Sequence, residues 1–280
     1  MKGERTPNLT EREKESPFAK YYAWKHGALD EATFAAYQED AVIDPSQATS
    51  IYCINDLLKP GHLPMERGVC LFPDGCAVFA NHILMPEVTP DMFAWFMCWF
   101  PLEDLRYKIW VPGAHYGVSI TDETRKLLMD PDRTYANKIK GTKRIIYEDM
   151  GGGLGTLNMT WLLPVELGFD MGIYPKEPDE GFFIMVLASN AETKMNLIIC
   201  QYVRPLLTGG SELRSRFWIG YGMENGRIIP KLPNGAQVPR HVVRFMWEHN
   251  ILEYSRLRDL IPLLYKEFGD KPLDFGMIGK

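Results

Sequence analysis

His249 and Glu253 are four residues apart, a spacing that on an α-helix places them about 40° apart on one face. That face is apolar. Val242 and Met246 precede His249 by seven and three residues, and Leu257, Leu260 and Leu264 follow it by eight, eleven and fifteen, spacings that all return to one stripe. The pattern therefore predicts an imidazole and a carboxylate turned into the interior, where an unpaired ionised carboxylate costs several kcal/mol. Its partner can be the imidazole, an arginine or a metal ion. The plain alternative is a buried His–Glu hydrogen bond that stiffens the helix, because H-x-x-x-E is common by chance. A closed zinc-like site wants about four nitrogen and oxygen donors, so a second pair must come from elsewhere. His115, beyond the run Leu105 to Trp110, and Glu148, closing the run Lys143 to Tyr147, are candidates. Both read as strand ends, where rigid backbone aims a ligand; each alone reads equally as a surface or turn residue.

The elements that must hold these residues follow from local pattern. A charged lead-in precedes Pro17 to Trp24 and Asp30 to Tyr37, where apolar residues recur at helical spacing and predict two short helices. Asp44-Pro45-Ser46-Gln47 interrupts them, which divides the chain into a helical extension over residues 1–60 and a main domain over 61–280. Beyond residue 67 the period becomes that of strands. Asp74-Gly75, Gly209-Gly210 and Asn225-Gly226 are hairpin turns, and strand-like runs cover Leu105 to Trp110, Arg144 to Tyr147, Thr156 to Leu163, Phe182 to Leu187, Leu197 to Val203 and Leu213 to Tyr221. Strands joined by short turns pair antiparallel. Thr89-Pro90-Asp91 caps a short, wholly apolar helix through Phe100. The last element is a long helix from about Pro239 to Phe268, ending before Gly269. The fold class is α+β: a helix-grip, in which a curved antiparallel sheet wraps the C-terminal helix and leaves room for a ligand.

Composition narrows the function classes. The 280 residues carry a net charge of −5 with no basic stripe, which argues against nucleic acid as partner. The longest apolar block, Met92 to Phe100, is too short to cross a bilayer, and Met1 to Ser16 lacks the apolar core of a signal peptide. A cytoplasmic protein with no membrane partner is expected. Cys53, Cys70, Cys76, Cys98 and Cys200 contain no C-x-x-C pair and read as buried free thiols. His82 can face the cavity as an acid or base, or be a satisfied structural histidine; His26, His62 and His241 read as solvent-facing. Gly151-Gly152-Gly153-Leu154-Gly155 lacks the G-K-[ST] of a phosphate loop and reads as a turn near Glu148.

Four segments in order make the chain recognisable: Met85-Pro86-Glu87-Val88-Thr89-Pro90-Asp91-Met92, Pro101 to Trp110 leading to His115-Tyr116, Leu213-Arg214-Ser215-Arg216-Phe217-Trp218, and His249-x-x-x-Glu253. Together they resemble the 2,4-diacetylphloroglucinol hydrolase and phloretin hydrolase family. The resemblance implies a Bet v 1-like helix-grip domain with an N-terminal helical extension. It also implies a zinc ion on His115, Glu148, His249 and Glu253, and hydrolysis of the carbon–carbon bond between a phloroglucinol ring and its acyl group. That is hydrolase chemistry on carbon–carbon bonds in ketonic substances, with an acylated polyphenol as the small-molecule substrate. Tyr107 matches a family tyrosine that contacts the ring. The family's proton-transferring histidine has no counterpart in Leu197 to Arg204, where Gln201 or Tyr202 is left to stand in, and a family tyrosine is replaced around Phe217. Two other readings stand beside this one: a non-catalytic helix-grip carrier of hydrophobic polyphenols, and a hydrolase of another cyclic β-diketone. Tyr21, Tyr22 and Trp24, on a segment too small for its own core, suggest docking on the main domain or a homodimer.

Overall fold

A computed structural model describes residues 5–25, 27–38, 42–175 and 180–278; His26 lies outside them. The chain begins with α1 (Glu11–Lys14), a single 3-10 turn at Ala19–Tyr21, and α2 (Glu31–Gln38). The first of the two expected helices thus shrinks to one turn. Its carbonyls are used elsewhere: the Arg256 guanidinium donates to Tyr21 O at 2.8 Å and Trp24 O at 2.6 Å, while Phe18 packs edge-on against Trp99 and Phe268. The extension is docked by these contacts.

The Asp74-Gly75 hairpin joins β1 (Gly68–Leu71) and β2 (Ala77–Met85) in antiparallel register. Gly75 has φ +87°, and a Cβ there would lie 2.3 Å from the Ala236 carbonyl oxygen, so glycine is required. Then come α3 (Pro90–Trp99), capped by the Thr89 side chain on Met92 N, and α4 (Asp104–Lys108). The latter corrects the strand expected over Leu105 to Trp110. Leu105, Tyr107 and Ile109 alternate as a strand would, but Leu105 and Ile109 are also one helical turn apart. The helix wins because the buried Arg106 guanidinium is taken up by the carbonyls of Trp99 and Leu273. After it come β3 (His115–Ile120), α5 (Asp122–Met129), α6 (Tyr135–Lys138), β4 (Lys143–Asp149), β5 (Leu154–Trp161), β6 (Phe182–Asn190), β7 (Asn196–Pro205), β8 (Ser211–Ile219), β9 (Tyr221–Glu224), β10 (Arg227–Pro230) and α7 (Arg240–Phe268).

Eight strands form one antiparallel sheet in the order β1-β2-β8-β7-β6-β5-β4-β3, and β9 and β10 form a separate hairpin at Asn225-Gly226. The chain leaves β2 near one edge and re-enters as β3 at the other, with α3 and α4 between them in sequence. Side chains alternate between its two faces. The inner face, with Phe79, Ile146, Leu157, Ile184, Ile199 and Leu213, packs with α3 and α7 in one core; the outer face, with Val78, Phe183, Cys200 and Trp218, packs with the Ile51–Leu58 segment in another. This is the expected α+β arrangement of a sheet around a long C-terminal helix. Among the cysteines, Cys53 is exposed, contrary to expectation, because it falls on the outward side of that short 3-10 segment; the other four are buried, and all are free. No helix among the described residues is long and apolar enough to cross a membrane.

Candidate functional site

Helix α7 turns its Met246, Leu257, Leu260 and Leu264 stripe to the sheet, which brings His249 and Glu253 to the wall of a cavity between helix and inner sheet face. The cavity is mostly apolar and lined by side chains such as Phe79, Trp110, Trp161 and Phe217. Phe217 stacks on Phe79 with centroids 4.5 Å apart.

His115, His249 and Glu253 bring one ligand-type atom each within 4.8 Å of one another. Glu148 joins them from β4, its Oε2 3.6 Å from His115 Nε2; the β3–β4 pairing sets His115 opposite Glu148. His115 is fully buried and its pKa falls well below the ordinary imidazole value, from burial first and the neighbouring His249 second. Its Nδ1–H donates to the Tyr107 carbonyl at 3.1 Å, which leaves the Nε2 lone pair facing the cluster. That tautomer is the one a metal-ligating histidine needs. Neither His115 Nε2 nor His249 Nε2 has a hydrogen-bond partner. Glu253 has its pKa raised well above the carboxylate range by burial and by Glu148. No lysine or arginine pairs with either carboxylate among the described residues. Two unmatched imidazole nitrogens facing two uncompensated carboxylates are a donor set suited to a zinc-like dication.

Tyr107 lies flat on the His115 ring, centroids 3.8 Å apart and 10° between planes, and its hydroxyl donates to Glu148 Oε2. Burial and the nearby Glu148 and Glu253 raise its pKa well above 10.0, so it stays protonated. On β7, Gln201 faces the cavity and its amide donates to the Tyr254 hydroxyl. Tyr202, the next residue, is turned to the outer face, where it stacks on Phe183. Period-two alternation removes it from the site. His82 is on the outer face as well, with its Nε2 2.6 Å from Glu212 Oε2. His62 reaches the same carboxylate and is half-exposed, and His241 is exposed.

Sequence reasoning missed Tyr254, Asn250 and Trp110. Asn250 Oδ1 accepts from Asn81 and Ser215, and its buried Nδ2 is unpartnered at the cavity wall. The signal was available: Asn250 and Tyr254 are one turn apart and flank the His249/Glu253 stripe. The Gly151–Gly155 turn sits at the cavity mouth beside Glu148, with Asp149 Oδ1 accepting from the amides of Gly151 and Gly153.

Residues 49–266 match the family described as DAPG hydrolase PhiG domain. The chain is 30% identical over 265 residues to the phloretin hydrolase of Eubacterium ramulus, covering 94% of each chain. It is 26% identical over 264 residues to a 2,4-diacetylphloroglucinol hydrolase of Pseudomonas sp, covering 90% of this chain and 88% of that one. Among solved structures, Ara h 8.0201 aligns with 66% of this chain and 100% of its own, at 12% identity and a TM-score of 0.38.

Proposed function

The chain belongs to the DAPG hydrolase PhiG domain family, and from that premise we propose that it hydrolyses the carbon–carbon bond joining a phloroglucinol-type ring to its acyl group. The products are a carboxylic acid and the free phenol. The observation that carries this reading is the pair of unpartnered imidazole nitrogens facing two uncompensated carboxylates at the wall of an apolar cavity. His115, Glu148, His249 and Glu253 would hold zinc, which when bound polarises a substrate oxygen or lowers the pKa of the attacking water.

The remaining work falls to the chain's own residues. An aryl ketone resists hydrolysis because the leaving group would be an aryl carbanion. Proton uptake at the acyl-bearing carbon of a trihydroxylated ring removes that obstacle, since the bond then resembles that of a β-diketone. That proton comes from the ring hydroxyl beside the acyl group, which becomes a ketone; water then gives its hydroxyl to the acyl carbon, the carbon–carbon bond breaks with its electron pair returning to the ring as an enolate, and water's remaining proton re-forms the phenol as the ring re-aromatises. Tyr107, protonated and bonded to Glu148, is the group we assign to relaying that proton, giving its own to the ring carbon as it recovers one from the ring hydroxyl. Asn250 Nδ2 and the Gln201–Tyr254 pair are donors for the ring hydroxyls. The aromatic walls exclude water from this end, which strengthens each of these interactions.

The test is incubation of the untagged protein with phloretin and with 2,4-diacetylphloroglucinol, following phloroglucinol and monoacetylphloroglucinol by chromatography, alongside metal analysis. Stoichiometric zinc and turnover of at least one substrate are expected. Zinc-free protein that binds both compounds without consuming either would overturn the enzyme reading in favour of a carrier.

A further inference from the structure

The inner face of β4 carries opposite charges toward its two ends. Arg144, Ile146 and Glu148 alternate onto that face, so four residues, about 13 Å of strand, separate the arginine from the carboxylate of the reactive cluster. The Arg144 guanidinium lies against two aromatic rings of the cavity wall, 3.9 Å from the Trp161 centroid and 5.1 Å from that of Phe100. None of its three nitrogens has a hydrogen-bond partner, and no carboxylate pairs with it among the described residues. Trp161 lines the cavity, and its buried indole Nε1–H is unpartnered as well.

Nothing in the fold offsets this charge. Burial lowers the Arg144 pKa to about 9, which leaves it a cation at neutral pH. Cys98 is close enough to influence it, but burial pushes that thiol up to about 12 and its Sγ–H donates to the Tyr135 carbonyl at 3.4 Å, so it is no counter-ion. A buried guanidinium with neither hydrogen bonds nor an anion is destabilising, and contact with two ring faces recovers only part of that cost. We propose that this end of the cavity is a carboxylate subsite: a carboxylate on the ligand accepts from Trp161 Nε1–H, and the Arg144 guanidinium, stacked on the same ring, supplies the opposing charge. The planar guanidinium matches a carboxylate in shape, and apolar walls leave the attraction weakly screened. A neutral phenol or amide in the same place satisfies the indole but leaves the cation uncompensated, so the subsite selects an acid. The ligand class is an apolar or phenolic body with one carboxylate at the end away from Glu148, whether or not the cluster there hydrolyses it.

The experiment compares 2-naphthoate with 2-naphthamide, rigid apolar probes that differ in charge and have no ketone to cleave. By titration calorimetry the wild-type protein is expected to bind the acid at least about 10-fold more tightly than the amide. Arg144→Met should reverse that preference, because the carboxylate then enters an apolar wall without its cation. Trp161→Phe, which keeps the ring and removes the N–H, should weaken naphthoate by about 10-fold. Without ligand, Arg144→Met should be at least as stable in urea as wild type, since an unpaired buried charge is gone. Equal wild-type affinities would overturn the proposal. So would a preference that survives Arg144→Met, which would put the carboxylate on the His115–Glu253 cluster instead, or a less stable Arg144→Met, which would show the guanidinium already compensated within the fold.

Discussion

Two His–Glu clusters stand on opposite faces of one sheet, and they differ in how their charge is compensated. On the outer face His62 and His82 approach Glu212 Oε2 at 3.0 and 2.6 Å, while Arg204 pairs with Oε1. Nearby, Glu66 is shared by Arg214 and Arg216. On the inner face His115, His249, Glu148 and Glu253 are equally close-set, yet no guanidinium or ammonium meets the two carboxylates and both imidazole Nε2 atoms are unmatched among the described residues. Proximity is common to both; charge compensation separates them. Arginine has already neutralised the outer carboxylates, whereas the inner set lacks the positive charge that a dication brings.

The sharpest way to break this contrast is His249→Ala. It should abolish zinc binding, measured by plasma mass spectrometry, and lower kcat/KM by more than the roughly 100-fold that loss of a ligand's supporting hydrogen bond typically costs. Unchanged zinc content would show that the inner set is not the metal site. Glu212→Gln is the mirror experiment: Arg204 loses its anion, stability in urea should fall by about 3 kcal/mol, and zinc content should not change. A drop in zinc there would erase the distinction between the two faces.

Acid titration probes the outer network more finely. Burial raises the Glu66 pKa, but Arg216 and Arg214 outweigh it and hold the carboxyl at about 2, against 4.5 for the free side chain. Its folded pKa is depressed, so its contribution is fully present above about pH 4.5 and is lost as pH falls toward 2. The loss should amount to about 2–3 kcal/mol between those limits. Urea melts at pH 5 and pH 3 should differ less in Glu66→Gln than in wild type; an identical difference would remove Glu66 from the account. The smallest effect is expected from Tyr107→Phe, which removes the hydroxyl on Glu148 but no ligand. Turnover should fall about 10-fold with zinc content retained, and a variant that turns over at the wild-type rate would take proton delivery away from Tyr107.

Where local rules suffice, the chain was readable. Glycine turns at Asp74-Gly75 and Asn225-Gly226, the Thr89 cap and the stripe on α7 are each set by neighbours within a few residues, and each element formed where its pattern placed it. Leu105 to Trp110 was misread because its spacing fits both periods, and the deciding contact, Arg106 to the Leu273 carbonyl, spans most of the chain. Tyr202 was misplaced for a related reason: one step along a strand reverses the face, and which face meets α7 is settled by the sheet's packing rather than by the strand.

The sequence by itself determined that His249 and Glu253 share the apolar side of one helix, because helical periodicity is a property of consecutive residues. Only the tertiary structure decided that His115 and Glu148 meet them, that Tyr107 lies across His115, and that His82 is on the opposite face. Those relations depend on strand register and on how the sheet closes over α7. Both are long-range choices made by burying whole faces of the molecule at once.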